Sequence, residues 1–190
     1  MAITSGITEK RLADKRFKKT EATILRVFLK ENSDININSM AKKVGVARST
    51  IYHHHRTIHK IIPDYEKYIL SKYRWSIRKT LKATNSRTHI IYFKTLCFIM
   101  TNKKIFQMLI RFEGDKIFRK MISEITPKIK DSMRLPKNSK TLYSVYTGEV
   151  IKIIENWCEN GFEESDLDDT LEKIIFLTKT ARSRLNKLLD

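Results

Sequence analysis

The stretch GVARSTIYHHHRTIHK, Gly45 to Lys60, decides how this chain is read. It holds three consecutive histidines, one tyrosine, two arginines and no acid. Just upstream, Asn36 is a capping residue for a helix whose inner face is Ile37, Met40, Ala41 and Val44. Gly45 ends that helix, because glycine tolerates the positive φ of a sharp turn. A second short helix is predicted from about Arg48 to His54, with Ile51 facing in. Two short helices joined through a glycine form a helix-turn-helix. Ala41 sits where they cross and permits close approach; Val46 and Ile51 fill the space beneath. The outward residues are Arg48, Ser49, Thr50, Tyr52, His53 and His54. All can donate or accept hydrogen bonds and none is anionic, which suits the DNA major groove.

The histidine triplet invites a metal reading, but adjacent helical residues point about 100° apart and cannot converge on one ion. His55 and His59 do have the i, i+4 spacing of a ligand pair, so a metal there is an alternative. The plainer reading turns His53 and His54 towards DNA and packs His55 as a half-buried ring, with no metal. Histidine charges near neutrality, so His53 and His54 are expected to make DNA binding pH-sensitive.

Working outward, a polar, basic tail runs to about Lys15, helical periodicity recurs after it between breaks at Asn32–Asp34, Asn85-Ser86 and Leu135–Asn138, and Gly (5) and Pro (3) are scarce. A first helix is expected over about Asp14–Glu31. A fourth is capped by Thr57 and runs to about Lys82; Pro63 either kinks it or marks its true start. Further helices follow over about Arg87–Met100, Lys103–Arg111 and Asp115–Met133, the last interrupted by Pro127. Leu142, Tyr146, Val150, Ile153 and Trp157 form one apolar stripe on an eighth helix. Ser165 and Asp168 resemble a capping box for a ninth, striped by Leu167, Leu171, Ile174, Ala181, Leu185 and Leu188. The expectation is an all-α chain of about nine helices. Residues 1–57 form a basic tail with a three-helix, helix-turn-helix domain, and residues 58–190 a larger helical domain.

The net charge of +17 favours polyanionic partners. It is uneven. Residues 1–72 carry 15 Lys/Arg against 7 Asp/Glu, residues 73–140 carry 17 against 4, and residues 141–190 carry 6 against 10. Between Lys67 and Phe112 there are eleven Lys/Arg and no acid. Cys97 and Cys158 lie far apart in apolar surroundings and read as buried thiols in a reducing cytoplasm. The first twenty residues carry no apolar core of a signal peptide, and no apolar run nears the eighteen residues of a spanning helix. A cytoplasmic protein with no membrane partner is expected.

The residues Ile24-Leu25, followed by INSMAKKVGVARSTIYHHHRTIHKII from Ile37 to Ile62, resemble the TetR/AcrR family of bacterial transcription regulators. Met40-Ala41, Gly45-Val46, Thr50-Ile51-Tyr52 and His54 stand in register with the family pattern, and Ile61 stands at its closing Leu. The match covers about residues 17–65; the rest agrees only in helical architecture. The departures are Asn36 for Thr, Ala47 for Ser, His55 for an inward Phe and Ile58 for a phosphate-binding Lys, with His59 or Lys60 as its substitute. The resemblance implies a homodimeric repressor on a palindromic operator in double-stranded DNA. Asn36, Asn38, Lys42, Arg48, Ser49, Thr50, Tyr52, His53, His54 and Lys60 would carry the DNA contacts.

It also implies a small-molecule effector in the second domain, against Phe93, Leu96, Cys97, Met100, Phe106 and Phe112, residues that read equally as core. The acid-free run there favours a neutral or anionic effector. The dimer interface would use Tyr146, Val150, Ile153, Trp157, Leu171, Ile174 and Leu185, packing within one chain being the alternative. No cofactor is implied.

Other classes fare less well. An enzyme needs convergent carboxylates, a Gly-rich phosphate loop or a nucleophile motif, and the sequence shows none of them. A charge-driven binder of nucleic acid or anionic membrane would ignore sequence and weaken steeply with salt. A TetR-like protein acting through protein partners is kept open by His55 and Ile58.

Overall fold

The computed structural model describes residues 14–31, 35–83, 87–133 and 140–189, with side chains 132, 133, 140, 142 and 184–189 outside the description. It is all-helical, and no strand occurs among the described residues. The α-helices are α1 (Lys15–Lys30), α2 (Ile37–Val44), α3 (Arg48–His54), α4 (Ile61–Lys82), α5 (Thr88–Thr101), α6 (Lys103–Glu113), α7 (Lys116–Met133), α8 (Lys140–Glu159) and α9 (Leu167–Leu189). Short 3₁₀ turns at Ile58–Lys60 and Glu164–Asp166 precede α4 and α9. The chain divides into two compact units between Ile69 and Leu70. That division lies inside α4, later than the 57/58 boundary read from sequence. The first turns of α4 supply Ile61, Tyr65 and Asp64 to the first unit's core and polar cluster.

In the first unit, Asp14 caps α1 by accepting from the amides of Arg16 and Phe17. Phe17, Ile24 and Phe28 of α1 are buried, as are Met40 and Ala41 of α2 and Ile51 of α3. Pro63 falls in the first turn of α4, where its missing N–H costs no helical bond, so α4 starts there and is not kinked. Thr57 begins the 3₁₀ turn without a side-chain cap, and Ile58 is buried.

The second unit is built on an aromatic chain. Tyr73 packs on Phe98 (5.3 Å), Phe98 on Phe106 (6.2 Å) and Phe106 on Phe118 (5.9 Å). Tyr92 and Tyr146 share a hydroxyl–hydroxyl bond of 2.8 Å, and Tyr146 bonds Thr178 at 2.8 Å, so α5, α8 and α9 meet through buried, satisfied polar groups. α7 runs continuously through Pro127, which the sequence reading took as an interruption. Between α8 and α9, Phe162 adopts φ 60, a rare conformation for a non-glycine residue, and buries its ring against Trp157 at 5.7 Å. Burial of so large a ring offsets that backbone cost. The Ser165 hydroxyl bonds the neighbouring Asp166 carboxylate, inside the 3₁₀ turn that opens α9, in place of the expected capping box with Asp168. No helix among the described residues is long and apolar enough to cross a membrane.

Candidate nucleic-acid interface

The outward surface of the first unit is built on α2, its turn and α3. Asn36 caps α2 by accepting from the Ser39 amide at 2.9 Å. Gly45 takes the left-handed conformation (φ 76, ψ 37), and the amides of Gly45 and Val46 both donate to the Ala41 carbonyl, at 2.9 and 3.0 Å. The turn is therefore closed by one small residue, and Met40, Ala41 and Ile51 are buried beneath it. Ala47 begins α3 with no side-chain hydrogen bond.

On the solvent side stand Asn36, Asn38, Lys42, Arg48, Ser49, Tyr52, His53 and Lys60, all exposed, with Thr50 half-buried. Tyr52 is 51% exposed, so it is not a core ring. Arg48 donates to Asn38 Oδ1 at 3.1 Å, which holds the guanidinium across the α2–α3 surface and lowers the entropy lost on contact. Lys43 is engaged by Glu31 at 2.5 Å. No acid lies between Ile35 and Ile62, so this face is cationic throughout.

The histidines separate into two kinds, which corrects the sequence reading. Of the three consecutive histidines, only His53 is exposed. His54 is 2% exposed, stacks on Phe17 with 3.9 Å between ring centroids, and donates from Nδ1 to Glu21 Oε2 at 2.6 Å. It is a core group, not a DNA contact. His55 is fully buried rather than half-buried: Nε2 meets Glu21 Oε1 and Nδ1 meets Asp64 Oδ2, each at 2.9 Å. With a carboxylate at each ring nitrogen, both nitrogens donate and the ring is a cation.

Burial pushes the His55 pKa down, but Asp64 and Glu21 outweigh it and raise it to about 9. Burial likewise pushes Glu21 up, while its bonds from His54 and His55 hold it at about 2. Glu21 of α1 thus ties the end of α3 to the start of α4. Neither Glu21 nor Asp64 figured in the sequence reading. The i, i+4 metal pair is also excluded by this geometry, because both nitrogens of His55 are taken. Among the described residues no group of three or more His, Cys, Asp or Glu is disposed to hold a metal ion.

In the second unit, the residues expected to line an effector pocket differ in exposure. Leu96 and Phe106 are fully buried core. Phe93 points to solvent at 42% exposure, and Cys97, Met100 and Phe112 are half-buried. A cleft of 250 Å³ lies instead between the end of α8 and the start of α9, lined by Asn156, Trp157, Asn160, Asp166, Asp169 and Lys173 among others. Its two carboxylates do not favour an anionic occupant.

The expected dimer stripe is spent inside the unit. Tyr146, Val150, Trp157 and Ile174 are buried against their own helices, with the Trp157 indole donating to the Glu163 carbonyl at 3.0 Å; Ile153 and Leu171 are half-buried. The reason is that α9 packs on α5 as well as α8, and so covers both stripes. Leu185 lies outside the described side chains.

Comparison with protein-family models, curated proteins and solved structures returns no match to this chain.

Proposed function

We propose that the chain is a sequence-specific, DNA-binding transcriptional regulator of the TetR/AcrR type, which presents α3 to the major groove. The observation that carries this is the α2–Gly45–α3 surface: exposed Arg48, Ser49, Tyr52 and His53, no acid among them, on a short helix braced from behind by Glu21, His54 and His55. A reading helix needs such rigidity, because base contacts discriminate only when held in register. Arg48 is the base- or phosphate-contacting cation, Tyr52 and Lys60 are phosphate contacts, and Asn36 combines capping with phosphate contact. Two copies related by a two-fold axis would read a palindromic site about one DNA turn apart. With the inner stripe used within the chain, that pairing falls to the outer surface of α8 and α9, where Val145 and Phe176 are exposed. Release by a small effector is carried by the resemblance alone.

The test is selection of bound DNA from a random duplex pool at roughly physiological salt, with an Arg48→Ala, Tyr52→Ala double variant in parallel. A palindromic consensus lost in the variant supports the reading. Equal recovery by both proteins without a consensus would leave the +17 charge as the whole cause of binding, with its steep salt dependence.

A further inference from the structure

The outer side of α4, where it belongs to the second unit, carries a surface that the DNA reading does not use. An α-helix turns about 100° per residue, so residues two apart stand on nearly opposite sides. Tyr73 and Ile77 are buried, and Tyr73 bonds Thr95 of α5 at 2.8 Å, which marks the inner side. Trp75, two positions from each, stands on the opposite side and is 76% exposed. The flanks of the helix are engaged. Lys72 bonds Asn102, just past α5, at 3.1 Å, and Arg74 pairs with Glu124 of α7 at 2.7 Å. Between these flanks runs one exposed stripe on α4 alone: Ser71, Trp75, Arg78, Lys79 and Lys82, spaced i−4, i+3, i+4 and i+7 from the indole.

The stripe is cationic, and its own helix does not compensate it. No acid occurs from Lys67 to Phe112. Glu124, the carboxylate that reaches α4 from α7, is engaged by Arg74. Residues 73–140 carry 17 Lys/Arg against 4 Asp/Glu, so most of the net positive charge lies outside the helix-turn-helix, which makes no use of it.

We infer that this face of α4 binds single-stranded nucleic acid, with a base stacked on Trp75 and phosphates on Arg78, Lys79 and Lys82. Charge complementarity calls for a polyanion. An exposed aromatic ring followed by cations is the arrangement that holds a single strand: the ring takes a base and the cations track the backbone. Arg78 and Lys79 lie about 5 and 6 Å along the helix axis from Trp75, and Lys82 about 10 Å. The cations thus follow the ring in a line, as phosphates follow a base along a strand. A duplex keeps its bases stacked on one another and leaves the indole unused. A bilayer would find a single large apolar side chain on the stripe, far less than the apolar face of an interfacial helix. An acidic peptide would answer the charge alone.

The experiment uses the full chain and oligothymidylate, with affinity read from the anisotropy of a labelled strand and stacking from tryptophan emission with an unlabelled one. Trp157 is buried, so quenching by a stacked base falls on Trp75. Expected are quenching as the strand is added and a loss of affinity on the order of tenfold for Trp75→Ala. Trp75→Phe should restore most of that affinity, because its ring also stacks, while the quenching stays lost. Replacing Arg78, Lys79 and Lys82 together by Gln should reduce the slope of log affinity against log salt by about 2. Circular dichroism of the variants checks that they stay folded, as substitutions at exposed sites should.

Tryptophan emission that the strand leaves unchanged at low salt overturns the inference. So does an affinity that Trp75→Ala retains, since that would be charge acting alone. Equal quenching by a fully paired duplex would make the face a duplex contact and overturn it as well. A blue shift of Trp75 with phosphatidylglycerol vesicles, without any response to the strand, would assign the face to a bilayer and overturn it equally. The duplex selection reads α3 and is independent of these outcomes: the Arg48→Ala, Tyr52→Ala variant should keep the quenching of Trp75 intact.

Discussion

Glu21→Gln keeps the shape of the buried side chain and removes its charge, so it isolates what the carboxylate contributes beneath α3. In the folded chain Glu21 is held at about 2, against an ordinary value of 4.5. At about 1.4 kcal/mol per pH unit, this is worth about 3 kcal/mol. His55, raised from 6.5 to about 9, returns a figure of the same size. The two describe one shared interaction from its two ends and are not added.

The pH dependence follows from the signs. The Glu21 contribution is present above pH 4.5 and is lost as pH falls through about 2. The His55 contribution is present below pH 6.5 and is lost as pH rises through about 9. The network is therefore at full strength between about pH 4.5 and 6.5. Across neutrality it weakens only gradually, and it is no switch near pH 7.

The assay must see the first unit, and tryptophan fluorescence does not, because Trp75 and Trp157 both belong to the second. Hydrogen exchange of peptides from α1 and α3 in the full chain does, with wild type and variant compared at each pH so that intrinsic exchange cancels. At pH 5.5 the variant's α3 amides should exchange on the order of 100-fold faster. The ratio should shrink by pH 10. Equal protection at pH 5.5, or a ratio that grows towards pH 10, would refute the charged network.

Three further outcomes are expected. Ala47→Ser supplies the cap that α3 lacks and should stabilise the first unit by about 1 kcal/mol, seen as slower exchange of the first α3 amides. Gly45→Ala meets open space but requires φ near 76, so it should cost about 1 kcal/mol from backbone strain alone, read in the same exchange experiment. Cys97 is half-buried, whereas Cys158 is buried and its thiol is pushed up first by burial and then by Glu155 and Glu159; a thiol reagent at pH 8 should therefore modify Cys97 well before Cys158.

What could be read directly was local. The cap at Asn36, the glycine at 45 and the apolar spacing of α2 and α3 all lie within twenty residues, and their consequences are set by backbone geometry. His54 was legible in part. It stands three residues after Ile51, and His55 four after, so all three share the inner stripe of α3. Residue type argued for solvent; periodicity argued for the core; periodicity prevailed because α1 supplies a carboxylate and a ring to receive the polar edge. Those partners, Glu21 and Phe17, are 33 and 37 positions away from His54, and no spacing rule connects them. The α8 and α9 stripes pose the same problem in apolar form. A stripe tells that Val150 and Ile174 will be buried, but not whether by a second chain or by α5. Which one depends on how α9 is seated, a tertiary choice that also leaves Phe176 out at 72% exposure. The polar bonds from Tyr92 to Tyr146 and Thr178 record that choice, since a tyrosine pair buried this deeply stays satisfied only with α5, α8 and α9 together.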